Sequence, residues 1–232
     1  MFGFSPDEWK AIELSLRVAT VGTLVGLPIA LLAAYALARW RFPGKIIVDG
    51  FLHLPLVLPP VVTGYFLLLT FGRQGFLGKG IYDLFGITFS FRWTGAALAC
   101  GVMGFPLMLR AIRLSFEAID RRLEKAAGTL GANPYWTFFL VTLPLALPGI
   151  LVGVILCFAK ALGEFGATIT FVSNIPGETQ TIPSAIYTFT QIPGGESQAL
   201  RLSLISIAIA MVALIVSEVL NRRIQKRIAV FE

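Results

Sequence analysis

Residues 18–38 form a run of 21 amino acids without a single Asp, Glu, Lys or Arg. As a helix rising about 1.5 Å per residue, such a run is long enough to cross a hydrocarbon layer of about 30 Å. No water-soluble surface helix carries an uncharged stretch of this length, so the run constrains the fold more than any other feature. Similar apolar blocks occupy residues 51–72, 95–109, 143–159 and 202–217. Charged residues make up only 14% of the chain, against about a quarter in soluble domains. The expected fold is therefore all-α: a polytopic membrane protein with five spans near 11–38, 47–72, 94–116, 144–164 and 199–220. All five belong to one membrane domain covering residues 1–232.

The first block does not read as a cleaved signal, although Ala36-Leu37-Ala38 resembles a cleavage site. A signal peptide places basic residues before a short apolar region. Here Asp7 and Glu8 come first and the basic residues follow. Cys100 and Cys157 both fall inside apolar blocks and read as small packing residues. The single His53 has no companion ligands, so neither a metal site nor a catalytic residue is expected.

Lys and Arg gather in loops on the cytoplasmic side of a membrane. Five alternating spans divide the loops into two sets. One contains Arg39, Arg41, Lys45, Arg110, Arg113, Arg121, Arg122, Lys125, Arg222, Arg223, Lys226 and Arg227, twelve in all. The other contains six: Lys10, Arg17, Arg73, Lys79, Arg92 and Arg201. The first set is expected to be cytoplasmic, which puts the N-terminus outside and the C-terminus in the cytoplasm. The net charge of +6 then follows from topology, and nucleic-acid binding need not be invoked. On the outer side, residues 73–93 read as a glycine-rich connection. Residues 163–199 read as a longer one, with a short helix over 181–190.

The loop between spans three and four, residues 120–144, carries the most local information. Asp120 is a good N-cap, and its charge suits a helix N-terminus. Gly131 stands where a helix of about three turns would end in the left-handed conformation. Asn133 caps a second helix with Pro134 at its first position. Trp136, Phe139 and Leu140 recur at helical spacing on that second helix. A compact helix–turn–helix elbow results. It presents apolar side chains to water and so calls for a partner surface.

This loop resembles the signature loop of ABC-importer permeases, written E-A-A, three residues, G, nine residues, I-x-L-P. The chain has Ala126, Ala127, three residues, Gly131, nine residues, then Val141-Thr142-Leu143-Pro144. Lys125 stands where the glutamate is usual, and Glu124 precedes it by one residue, a turn of about 100° around a helix. The segments beginning Phe42-Pro43-Gly44-Lys45, His53-Leu54-Pro55 and Gly163-Glu164-Phe165-Gly166 are similar to the molybdate branch, with sulfate permeases as near relatives. The resemblance implies a bacterial inner-membrane permease that forms a homodimer in the lipid. It would dock two ATPase subunits through Glu124, Ala126, Ala127, Gly131, Leu143 and Pro144, and receive molybdate from an extracytoplasmic binding protein. ATP and magnesium would belong to the ATPase; no cofactor is expected on this chain. Tungstate or sulfate stays open as the cargo. The rival from another class is an ion-coupled secondary transporter.

Three further constellations stand out. No phosphate-binding loop of the G-x-x-x-x-G-K-[ST] type occurs, so ATP hydrolysis belongs to another polypeptide. Residues 54–59 with Gly64 match residues 143–148 with Gly153, and Pro59 and Pro148 are candidate hinges or simply two similarly kinked span entrances. Lys160 and Glu164 lie one helical turn apart, either as an ion pair holding a helix end or as a pore-lining pair. Thr168, Thr170, Ser173 and Asn174 are candidate pathway residues for an oxyanion, the alternative being an ordinary solvated outer loop.

Overall fold

The computed structural model describes residues 4–228, without the side chains of Ser217 and of residues 221–228. The basic cluster Arg222, Arg223, Lys226 and Arg227 therefore lies outside the described side chains. Eleven α-helices and no strand occur among the described residues. They are α1 Pro6–Arg39, α2 Lys45–Val57, α3 Pro60–Phe71, α4 Phe76–Phe85, α5 Trp93–Ala118, α6 Arg121–Thr129, α7 Pro134–Thr137, α8 Leu143–Leu162, α9 Gly166–Val172, α10 Ile182–Thr190 and α11 Glu196–Ile228. A π-helical turn, Phe138–Thr142, joins α7 to α8.

Among the described residues four helices are long and apolar enough to cross a membrane: Pro6–Arg39, Trp93–Ala118, Pro134–Leu162 and Glu196–Leu220. The fifth expected span, 47–72, is not one helix. It is the pair α2–α3, bent by 115°. The break falls at Leu58 and Pro59, both extended, at ψ 146° and 132°. Tandem prolines explain it. Pro59 disfavours the helical conformation at Leu58, Pro60 does the same to Pro59, and neither proline has an N–H to donate. The pair still carries the chain from one end of the bundle to the other. Asp49 of α2 bonds Arg113 near the end of α5, and Phe71 of α3 meets the Phe89 ring edge-on just before α5 begins.

α5 is the central span, with 67% of its apolar stretch buried against 33% for α1 and 11% for α11. Between helices in lipid the hydrophobic effect supplies no pull, so close packing of small residues must hold them. Gly22 of α1 and Gly101 of α5 meet reciprocally: a Cβ on Gly22 would lie 2.5 Å from the Ala97 carbonyl oxygen. A Cβ on Gly104 would lie 2.5 Å from Cys157 Sγ of α8. Ala30, Ala34, Ala96, Ala97, Ala99, Cys100 and Cys157 are buried at these seams. The two cysteines are thus the small packing residues that their positions suggested. At the elbow end Tyr35 stands edge-on to both Phe116 and Phe138, with centroids 5.5 and 5.1 Å away.

At the opposite end polar contacts fasten the bundle. Ser5 and Glu8 form a capping box at the start of α1. Glu8 is fully buried and accepts from Arg201 Nε at 3.0 Å and Nη2 at 3.1 Å, which ties α1 to α11. Ser15 Oγ accepts the Ile182 N–H at 2.7 Å and seats α10 on α1. Arg17 lies over the Trp93 ring at 3.8 Å. The expected outer connections hold more structure than their glycines and prolines suggested. Residues 73–93 contain α4. Residues 163–199 contain α10, as expected, and also α9, whose Ala167, Thr168, Phe171 and Val172 are buried.

Two predictions follow from the packing. Gly22→Leu forces α1 off α5 and costs about 1–3 kcal/mol, read as a lowered thermal unfolding midpoint in detergent, whereas Gly80→Leu, with open space around it, leaves the midpoint within error. Arg201→Ala leaves the Glu8 carboxylate buried without its cation and costs about 3 kcal/mol or more; the double change with Glu8→Gln recovers part of that loss in the same assay.

Candidate functional site

The elbow forms as its local chemistry requires. The Asp120 carboxylate accepts the Arg122 N–H at 2.9 Å and caps α6. At the other end Gly131 takes φ +89°. The Ala132 N–H reaches back to the Ala127 carbonyl at 3.1 Å and the Gly131 N–H to that of Gly128. This 6→1 closure is open to a left-handed residue and is cheapest for glycine. Asn133 Oδ1 then accepts the Trp136 N–H at 2.9 Å, with Pro134 at the first position of α7.

The helix does not stop at Pro144. It runs from Pro134 to Leu162 as one span through the π turn, in which the Leu143 N–H bonds the Phe138 carbonyl five residues back. A wider turn just before a proline accommodates the hydrogen bond that the proline cannot make. Pro148 likewise sits inside a continuous α8, unlike Pro59.

The elbow turns its apolar side chains outward. Leu130 is 89% exposed, Tyr135 78% and Trp136 59%, with Leu123, Phe139 and Leu140 also exposed. Of the signature residues, Ala126, Gly131 and Pro144 are exposed, and Ala127 and Leu143 are partly so. Glu124 points the other way. Its Oε1 accepts from Arg39 Nη2 at 2.9 Å and from Thr142 Oγ1 at 3.0 Å. Lys125, one residue on, is exposed. The one-residue offset from the usual motif thus has a structural meaning: Glu124 faces the bundle and Lys125 faces water.

The remaining candidates are spread along α8 and α9. Lys160 Nζ and Glu164 Oε2 form an ion pair at 2.9 Å. The Glu164 side chain is 1% exposed and its Oε1 accepts the Ala167 N–H, so it holds the start of α9. Thr168 Oγ1 donates to the Phe165 carbonyl and Thr170 Oγ1 to that of Gly166, each at 2.9 Å. Ser173 is exposed at φ +67°, and Asn174 Nδ2 donates to Thr188 Oγ1 at 2.7 Å. α9 lies against α3, where Gly64 leaves no room for a Cβ beside the Ala167 carbonyl.

Two adjoining depressions went unseen in the sequence. A groove of about 510 Å³ runs between α5 and α8 along Leu107, Ala111, Leu114, Pro148, Val152 and Leu156. It meets a polar cleft of about 330 Å³ bounded by Asp49, His53, Arg113 and Glu117. Arg110 and Leu114 line both. Arg113 bonds Asp49 and Glu117, each at 2.8 Å. The sequence had marked Arg110 and Arg113 only as loop charges; the i, i+3 spacing that puts them on one face was the available signal.

The chain has relatives among known proteins. The chain is 60% identical over 220 residues to the molybdenum transport system permease protein ModB of Escherichia coli, which covers 95% of this chain and 96% of that one. It is 56% identical over 221 residues to ModB of Haemophilus influenzae, covering 95% and 96%. Among solved structures, a bacterial alginate ABC transporter in complex with an alginate pentasaccharide-bound periplasmic protein shares the fold. Its TM-score is 0.75 at 17% identity, covering 96% of this chain and 81% of that chain. The family described as binding-protein-dependent transport system inner membrane component matches residues 26–230, and this chain belongs to it.

Proposed function

We propose that this chain is the membrane-embedded permease subunit of an ATP-driven importer of molybdate. Two copies form the pathway, two ATPase subunits dock on the elbows, and an extracytoplasmic binding protein delivers the anion. The observation that carries the reading is the elbow itself. It is a capped, compact helix pair whose Leu130, Tyr135, Trp136, Phe139 and Leu140 face water. A patch of this kind calls for a partner. Molybdate as the cargo rests on the 60% identity with the Escherichia coli protein.

The physical roles divide accordingly. ATP is hydrolysed on the separate ATPase, and this chain transmits the movement and lines the route. The chain is one transmembrane domain in the bacterial inner membrane. The elbow, with Arg39, Arg41 and Lys45 on the same side, faces the cytoplasm; the N-terminus lies outside, and the C-terminal basic cluster returns inside. The signature residues Ala126, Ala127, Gly131, Leu143 and Pro144 shape the docking surface. Lys160, Glu164, Thr168, Thr170, Ser173 and Asn174 border the route, and the break at Pro59 and the proline inside α8, Pro148, are its hinges. Thr168 and Thr170 give their hydroxyl protons to backbone carbonyls, so the route contacts a tetrahedral oxyanion only loosely. An ion-gradient mechanism would need a relay of buried titratable groups, and Lys160–Glu164 offers only one neutralised pair.

Reconstituted in vesicles with its ATPase and binding protein, the permease takes up molybdate only when ATP is supplied. Uptake without ATP refutes the reading, and competition by tungstate and sulfate ranks the three anions. Truncating Trp136 and Leu140 together to alanine weakens retention of the ATPase by about tenfold or more, since buried aromatic anchors dominate such interfaces. Co-purification of the two subunits from detergent measures it.

A further inference from the structure

Glu124 stands where four parts of the chain converge. Its carboxylate sits on α6. Arg39, the last residue of α1, donates to Oε1 at 2.9 Å and Thr142, the last residue of the π turn, at 3.0 Å. The same Arg39 Nη2 also reaches the Ile119 carbonyl, just past the end of α5, at 3.4 Å. The Arg39 side chain is 8% exposed and that of Glu124 20%. Both charges are therefore largely withdrawn from water, where a charge-assisted hydrogen bond is hard to replace. Nothing about a docking surface requires this. The apolar side chains that meet a partner face outward, while Glu124 faces inward.

We infer that Arg39, Glu124 and Thr142 form a latch that makes the elbow move as one body with the ends of α1, α5 and α8. The three are positioning residues for transport and touch neither nucleotide nor anion. The need for such a latch follows from the local fold. α6 is joined to α5 only through Ile119 and Asp120, and α7 leads into α8 through a π turn. Such a turn marks a change of hydrogen-bond register and is a common site of bending. A push on the outer face of the elbow would be absorbed there as a rotation of α6. Glu124 removes that freedom by holding α6 to the π turn on one side and to α1 on the other. Arg39 is well suited to the task, because its fork offers several donors in fixed geometry. The offset of the acidic residue from position 125 to 124 is what turns the carboxylate inward.

The inference rests on the transport function proposed above, and the test separates the two. Arg39→Gln and Thr142→Val, neither on the outer face of the elbow, are compared with the parent in vesicles containing the ATPase and binding protein. The readout is molybdate taken up per ATP hydrolysed. It is expected to fall at least fivefold, with the ATPase still co-purifying at the parental ratio. Arg39→Lys recovers part of the loss, and Glu124→Gln added to Arg39→Gln costs little more than Arg39→Gln alone. A parental uptake ratio in both single variants overturns the latch. So does loss of the ATPase from Arg39→Gln, because the residue would then serve docking. A second measurement does not depend on transport. Spin labels at Ala38→Cys and Arg122→Cys report the distance from α1 to the elbow in the assembled complex. The latch gives one narrow distance in the parent, with and without nucleotide, and a broad one after Glu124→Gln. Equal widths in parent and variant refute it, even if the parent fails to import molybdate with ATP.

Discussion

Close approach of backbones along α5 is the constraint on which the rest of the structure depends. In water, apolar helices are driven together; in lipid they are not, and dispersion across a close seam must do the work. Gly22 against Gly101 sets the distance of α1, and Gly104 against Cys157 sets that of α8. With those two helices fixed, the Tyr35, Phe116 and Phe138 rings meet edge-on at the elbow end. Glu8 is fixed within reach of Arg201 at the other end. The polar fasteners are therefore consequences of the seam: they lock an alignment that packing has already chosen. This is also why the α5 stretch is buried while much of α11 faces outward.

Prolines show how neighbours decide the outcome of one local rule. Pro28, Pro106 and Pro148 all lie inside helices that continue past them. Each costs one backbone bond, and packing on adjacent spans keeps the helix together. At Pro59 a second proline follows directly, so two successive residues, Leu58 and Pro59, are pushed out of the helical region. No neighbour can restore a helix there. The freed backbone turns through 115° and α3 packs on α9 instead, with Gly64 beside Ala167.

This contrast also explains what could be read from the sequence. The uncharged runs gave the spans, because lipid tolerates few alternatives to an apolar helix of that length. The caps of the elbow were legible down to the atom, because Asp120, Gly131 and Asn133 act on backbone groups two to five residues away. The broken span was not, since residues 51–72 carry no Asp, Glu, Lys or Arg and only the effect of Pro60 on Pro59 distinguishes them from an unbroken span. α9 was hidden for another reason. Its glycine, threonines and phenylalanine read as an outer loop, and its helix is supported by packing on α3 and by Glu164. The inward turn of Glu124 was likewise invisible, because its partners Arg39 and Thr142 are 85 and 18 residues away.

The geometry around α9 bears on how an anion could pass. Thr168 commits its proton to the carbonyl of Phe165, just before α9, and Thr170 to that of Gly166, and Lys160 is paired with Glu164. A tetrahedral oxyanion needs donors and free positive charge to be held. A wall whose donors are already engaged offers it little. Tight binding along the route would work against transport, because each kcal/mol gained at a midway site must be given back on release. In the proposed assembly, selection then falls to the extracytoplasmic binding protein, and the permease is left a path on which the anion does not linger.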